Sequence, residues 1–278
     1  MLAVSTLPDR RPETTNGVPM YAEERQAAIV DLARTTGRVE VTRLAETLDV
    51  TAETVRRDLS ALSRAGVLRR VHGGAILTDA LGFEPALAVR ENVHTEEKAR
   101  IARAALEWLP EQGAIAIDGG STAHQFAEIL PFDRALTVVT NNLAIALPLA
   151  DRTDLTVHIV GGRLRGRTLT TVDEVALEYL RGVHLDVVFL GTNGFSIERG
   201  LTTPDSAEAA VKRAFVAAAR TKVLLTDHTK FGLDHFAQVA DLAEIDVIIS
   251  DTSLTDQAVA EIAAVSYTHL RAHETKAN

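Results

Sequence analysis

From about residue 96 onward the chain repeats one pattern: a short, continuously apolar run, then a segment with helical periodicity. The runs are Ala114–Asp118, Leu136–Thr140, Thr156–Gly161, Asp186–Gly191, Lys222–Asp227 and Asp246–Asp251. None alternates apolar with polar residues. Such runs are expected of strands covered on both faces, as in a mainly parallel sheet with helices on either side. That reading places an α/β domain over residues 96–265. In an open sheet of this kind ligands bind beyond the carboxyl ends of the strands.

Composition narrows the function classes. There is no cysteine, which excludes disulfides, thiolate metal sites and a cysteine nucleophile. No apolar stretch has the length of a membrane span. Residues 1–20 lack the apolar core of a signal peptide and read as a disordered tail, so the cytoplasm is the expected compartment. One Trp, three Tyr and eight Phe give little material for stacking single-stranded bases. The net charge of −9 argues against nucleic acid only until its distribution is read. Between 56 and 72, Arg56, Arg57, Arg64, Arg69 and Arg70 face Asp58 alone, and a local basic surface is enough to bind phosphates.

That basic segment lies in a distinct module, residues 21–77. A helix near 22–35 carries Ile29, Leu32 and Ala33. A short second helix, with Thr42 expected as its cap, carries Leu44, Ala45 and Leu48. Thr51 is placed to cap a third helix, near 52–65, with Val55, Leu59 and Leu62 inward. Outward lie Thr54, Arg56, Arg57, Ser60 and Arg64; Arg56, Ser60 and Arg64 recur every four residues on one face. Such a helix fits the major groove of duplex DNA. Arg69, Arg70 and His72 then belong to a hairpin with a Gly-Gly turn, a basic wing. The competing reading, a three-helix protein-binding module with a solvated arginine face, leaves the coincidence of caps, helix spacing and wing unexplained.

The stretches TAETVRRDL (51–59) and RRVHGGA (69–75) resemble the recognition helix and wing of the DeoR family of bacterial transcriptional regulators. The resemblance continues through Glu97-Lys98, the Asp118–Thr122 loop, Thr137–Asn141, Gly191–Gly194, Gly200–Pro204, Glu208–Arg213 and Asp227–Gly232. It implies a C-terminal sensor similar in fold to ribose-5-phosphate isomerase, and a repressor released from duplex operator DNA by a phosphorylated sugar. Similarity to actinobacterial DeoR-type regulators of fructose uptake makes fructose-1-phosphate the first candidate effector. Because one winged module buries little surface, a homo-oligomer on paired half-sites is expected. Residues 78–95, without sustained periodicity, read as a linker.

In the sensor, the loops after successive strands supply the candidate effector residues. Gly119 and Gly120 let the backbone approach an anion, and Ser121 and Thr122 are expected to cap the following helix, whose N-terminus attracts phosphate. Asp118, Asn141, Asn193 and Asp227 stand at strand ends, and Arg165, Lys212 and Lys230 supply positive charge, Arg165 from a loop read as flexible. No Walker loop or dinucleotide fingerprint is present, and neither cofactor nor metal is expected. The alternative is a sugar-phosphate isomerase with a DNA-binding appendage, using Asp118, Asp227, Glu208 and Lys212 for acid–base chemistry. The glycine-rich lysine motif of those isomerases is not evident, and Ser121 with His124 lacks the nucleophile elbow of a hydrolase triad, so no catalytic residue is assigned. Pro148 is expected to end or kink its helix. Residues 266–278 break every pattern. SYTHLRAHET within them resembles translated sequencing-adapter sequence, so the segment reads as a non-native tail in which His269 and His273 form no metal pair.

Overall fold

A computed structural model describes residues 21–36, 38–64, 66–77, 84, 86–132, 134–265 and 269–272. The expected tail 1–20 lies outside the described residues, as do 78–83 and 273–278.

The N-terminal domain runs α1 (Ala22–Thr36), β1 (Arg38–Glu40), α2 (Val41–Thr47), α3 (Ala52–Arg64), β2 (Leu68–Val71) and β3 (Gly74–Leu77). Ile29, Ala33, Leu44, Val55, Leu59, Leu62 and Leu68 form its core. Ala45 and Leu48 pack only partly against it. The wing has three strands, in the order β1-β3-β2, all antiparallel. Strand β1 was not legible, because three residues between two helices carry no periodicity. It corrects the expected cap at Thr42: the strand runs directly into α2, Glu40 occupies the N-cap position, and Thr42 lies inside the helix. The first helical N–H, that of Val41, is satisfied instead by Gly73 O in the wing turn at 2.9 Å, so a side-chain cap is not needed. The turn itself is His72-Gly73, with Gly73 at φ 78° and Gly74 already in β3.

The C-terminal domain begins with α4 (Leu87–Glu91) and α5 (Thr95–Ala105). It continues β4 (Gln112–Ile117), α6 (Ser121–Glu128), β5 (Ala135–Thr140), α7 (Leu143–Ala150), β6 (Leu155–Ile159), β7 (Arg163–Arg165), β8 (Thr170–Val172), α8 (Glu174–Arg181) and β9 (Leu185–Leu190). The remainder is β10 (Gly194–Ser196), β11 (Gly200–Thr203), α9 (Ser206–Ala218), β12 (Ala219–Leu225), β13 (Ala237–Ala240), β14 (Val247–Ser250), α10 (Asp256–Val265) and β15 (His269–Ala272). All six predicted runs are strands of one parallel sheet, ordered β15-β14-β12-β9-β4-β5-β6. Its two faces bury separate cores. Ile115, Ile117, Phe189, Val223 and Ile249 pack with Phe126 of α6 and Ile145 of α7. Their sequence neighbours Ala116, Val188, Leu190, Leu224 and Ile248 pack with Leu180 of α8 and Phe215 of α9. Period-two alternation between two buried faces is why the runs read as continuously apolar. Strand β6 departs from this: it is the sheet edge and is half-exposed.

Three further features differ from the sequence reading. A small antiparallel sheet, β10-β11-β13, covers α9 from outside, so that helix is buried on two sides. The part of the expected linker from Leu87 onward is helical and packed, with Leu87 only 4% exposed. Residues 269–272, within the expected tail, pair in parallel with β14 as the outermost strand; four residues at a sheet edge leave no pattern to detect. Pro148 sits in the last turn of α7, which continues to Ala150.

Candidate functional site

In the N-terminal domain the recognition helix is held by a buried ion pair. Asp58, the lone acid of the basic stretch, points inward and meets Arg25 of α1, with Nε to Oδ2 at 2.5 Å. Gln26 Nε2 donates to its other oxygen at 3.2 Å. Thr51 caps α3 as expected, its hydroxyl accepting from Thr54 N at 3.1 Å. Arg56, Arg57, Arg64, Arg69, Arg70 and His72 are exposed, and Thr54 and Ser60 are half-buried. Ser60 does more than share a face with the arginines. Its hydroxyl donates to Arg56 O at 2.6 Å and accepts from Arg70 Nη1 at 2.7 Å, which ties the wing to the helix. The Arg56–Glu53 contact at 3.4 Å is exposed and of small energetic weight.

The parallel sheet reverses direction between β4 and β9. From β4 the chain winds outward through β5 to β6; from β9 it winds the other way, through β12 to β14. The crevice at such a reversal is where open α/β sheets bind ligands. Around it stand the loops after β4 (Asp118–Gly120) and β9 (Gly191–Asn193), the β7–β8 hairpin and the buried helix α9. Gly120 precedes α6 at φ 151°, a region that favours glycine. A side chain at Gly119 would put its Cβ 2.3 Å from Thr170 Cγ2. Ser121 and Thr122 are the first two residues of α6, not its caps, and no side chain caps that helix. Among the described residues no side chain accepts from its N-terminal amides.

The charged residues are committed in pairs. Lys212 Nζ donates to Asp118 Oδ2 and, at 3.0 Å, to Gly191 O; Gly191 N donates to the same carboxylate oxygen at 3.1 Å. Lys212 is 5% and Asp118 1% exposed, so the positive charge that the sequence placed at Lys212 is buried and already paired. Burial pushes the Asp118 carboxyl up against the pull of Lys212. One helical turn earlier, Glu208 accepts from Arg165, from Thr168 and, at 2.6 Å, from Thr170. Burial opposes its ionisation, but Lys212, the two hydroxyls and Arg165 hold its carboxyl below the usual range. The loop read as flexible is a hairpin whose arginines are engaged: Arg163 with Asp173 at 2.7 Å, Arg167 with Glu84 O at 2.6 Å, and Arg165 with Glu208, Glu84 and Asp205. Asn193 accepts from Thr203 Oγ1 at 2.8 Å. Asn141 donates to Thr171 O at 3.1 Å, and its buried Oδ1 has no partner among the described residues.

Asp227 and Lys230 lie apart from this network, beyond β12, roughly two strand spacings or about 10 Å from the end of β4. Asp227 caps a short 3-10 turn through Thr229 N at 3.1 Å. Lys98 of α5, part of the Glu97-Lys98 stretch but not among the effector residues expected from sequence, is buried beside it and donates to Arg90 O and Val93 O. Burial lowers the Lys98 amine to about 8, with Asp227 opposing and Lys230 assisting. For Asp227 burial works upward, but Lys230, Thr229 and Lys98 outweigh it and hold the carboxyl at about 2. A depressed carboxyl stabilises the fold above its unfolded pKa, near 4, and that contribution disappears as pH falls toward 2. The unfolding free energy of wild type over Asp227→Asn should therefore shrink by about 2 kcal/mol between pH 5 and 2. A pH-independent difference would show that these partners do not hold the charged form.

Comparison with known proteins follows this division of the chain. Residues 25–80 match the model of the DeoR-like helix-turn-helix domain, and residues 93–252 that of the DeoR C terminal sensor domain. The chain belongs to the DeoR family of transcriptional regulators. It is 35% identical to the HTH-type transcriptional regulator GlpR of Haloferax volcanii, over 90% of this chain and 97% of that one. It is 32% identical to the glycerol-3-phosphate regulon repressor of Escherichia coli, over 84% and 92%. Among solved structures, ribose 5 phosphate isomerase A from Neisseria gonorrhoeae is similar over 52% of this chain and 55% of that one, at 20% identity and a TM-score of 0.36. The DeoR-family chain thus pairs a winged helix-turn-helix with an α/β sensor.

Proposed function

We propose that this DeoR-family regulator represses carbohydrate uptake or catabolic genes, binds duplex operator DNA in the cytoplasm as a dimer or larger homo-oligomer, and is released by a phosphorylated sugar or polyol. The observation that carries the sensor half is the α6 N-terminus. Among the described residues its amides carry no side-chain cap, and they open on the reversal point of the sheet, beside hydroxyls of Ser121 and Thr122. A helix N-terminus in that position favours a phosphate. Asp118, Asn141, Arg165, Asn193 and Lys212 form its wall, and Lys98, Asp227 and Lys230 its far end. The glycerol-3-phosphate relative supports the ligand class. Internal neutralisation of Asp118 by Lys212 and of Glu208 by Arg165 supports binding rather than acid–base turnover.

The experiment is a thermal-shift screen of a sugar-phosphate panel, with fructose-1-phosphate and glycerol-3-phosphate first, followed by release of a genomic operator fragment selected by the protein. One ligand should raise the melting temperature and weaken DNA binding. A tenfold weakening corresponds to about 1.4 kcal/mol of coupling. Arg56→Ala or Arg57→Ala should cost about 1–3 kcal/mol of DNA affinity if that arginine reads a base. Truncation after Val265 should leave DNA affinity unchanged. A panel without any thermal shift, or an arginine variant with the wild-type footprint and affinity, would sink the corresponding half of the proposal. Turnover of a panel member would replace it with the isomerase reading.

A further inference from the structure

Glu84 stands seven residues beyond Leu77, the end of the wing, in the stretch that joins the two domains. It is nevertheless 3% exposed. Both carboxylate oxygens accept hydrogen bonds: Oε1 from Asn193 Nδ2 at 3.0 Å and Oε2 from Arg165 Nη1 at 3.1 Å. Arg90 lies 3.8 Å from Oε1, and Arg167 Nη1 donates to the Glu84 carbonyl at 2.6 Å. Three residues on, the buried Leu87 donates its N–H to Arg167 O at 2.9 Å. A carboxylate this deeply buried is stable only because charged and amide donors converge on it. Arg165 and Asn193 are also two walls of the proposed effector site. A guanidinium beside an amide donor recognises a carboxylate and a phosphate by the same geometry.

We infer that Glu84 is a built-in anion that holds the interdomain segment against the sensor, and that the effector's anionic group competes with it for Arg165 and Asn193. Occupancy by the effector expels Glu84 and loosens the anchorage of the DNA-binding domain. The inference rests on the effector reading given above. It supplies what a ligand-driven shift requires, a difference in affinity between two states: latch and ligand use the same donors, so they exclude one another. Arg165 keeps Glu208 and Asp205 when Glu84 leaves, so expulsion strands no buried guanidinium.

The test uses full-length protein, wild type and Glu84→Gln, with inorganic phosphate, glycerol-3-phosphate and fructose-1-phosphate as probes. Glutamine is nearly isosteric but accepts at one oxygen only, so its amide group faces either Asn193 or Arg165 as a mismatched donor. Hydrogen exchange of the peptide spanning 86–91 should accelerate in the ligand-free variant, and in wild type when a probe that raises its melting temperature is added. The variant should bind that probe on the order of tenfold more tightly, because the internal competitor is gone. Unchanged exchange in the ligand-free variant overturns the latch. A probe that stabilises wild type while leaving 86–91 as protected as before overturns the competition and leaves the effector reading intact. If no probe stabilises either protein, both readings fall together.

Discussion

Replacing Lys212 with methionine is expected to destabilise the sensor domain by about 3–5 kcal/mol, the usual cost of removing one partner from a buried ion pair. Lys212 and Asp118 are buried on adjacent elements, and the Lys212 amine also holds Gly191 O at 3.0 Å. Methionine nearly conserves volume, so packing contributes little to the loss. What remains is a carboxylate enclosed by β4, β9 and α9 with the amide of Gly191 as its remaining donor. The double variant Asp118→Asn, Lys212→Met removes the uncompensated charge and should recover much of the loss. Chemical denaturation of the three proteins checks this. Stability of Lys212→Met equal to wild type would mean that the pair is solvated, contrary to its burial.

The second large effect is expected at the other end of the chain. Asp58→Ala removes the carboxylate facing the buried Arg25 guanidinium, again at about 3–5 kcal/mol. A domain of this size has only a few kcal/mol to lose. The DNA-binding domain should therefore lose helical circular dichroism and DNA affinity together near room temperature, while the sensor domain keeps its own thermal transition. Arg25→Leu combined with Asp58→Leu should restore folding, because neither charge is then buried. Full DNA affinity in Asp58→Ala would show that α1 does not depend on this bridge. The contrast with Arg57→Ala is informative: replacing this exposed arginine should leave the melting curve unchanged, so any loss of DNA affinity there would report on recognition alone.

The architecture was legible where burial writes a long pattern. Five of the six parallel strands stood out because both of their faces are covered, the edge strand β6 being half-exposed, and the inward residues of α3 stood out because thirteen residues give a helical period time to show. Short elements were silent. Strand β1, the β7–β8 hairpin and the small sheet over α9 are three or four residues per strand, below the length at which alternation can be read. The candidate site was legible as a set of loops but not as a circuit. Sequence placed Asp118, Arg165, Asn193 and Lys212 near strand ends; nothing in it showed that Lys212 would be spent on Asp118, or that Arg165 would be shared by Glu84, Asp205 and Glu208. Those pairings span from 40 to 94 positions along the chain, and a single sequence carries no signal for contacts of that range. Glu84 was missed, and Lys98 left out of the candidate effector residues, for a related reason. Each reads as an ordinary surface charge until a distant strand is laid over it.

The bond from Arg70 through Ser60 to the carbonyl of Arg56 gives the DNA reader a fixed gauge. If helix and wing meet the duplex as proposed, groove-facing and backbone-facing groups would approach it as one preorganised template, with less freedom between them to freeze on association. The same stiffness limits adaptation. A half-site whose local twist or groove width displaced the phosphates under the wing would then not be met by the wing alone; it would cost alignment of the helix with the bases as well. Discrimination would then extend to base steps that no side chain touches, through the shape and deformability of the duplex.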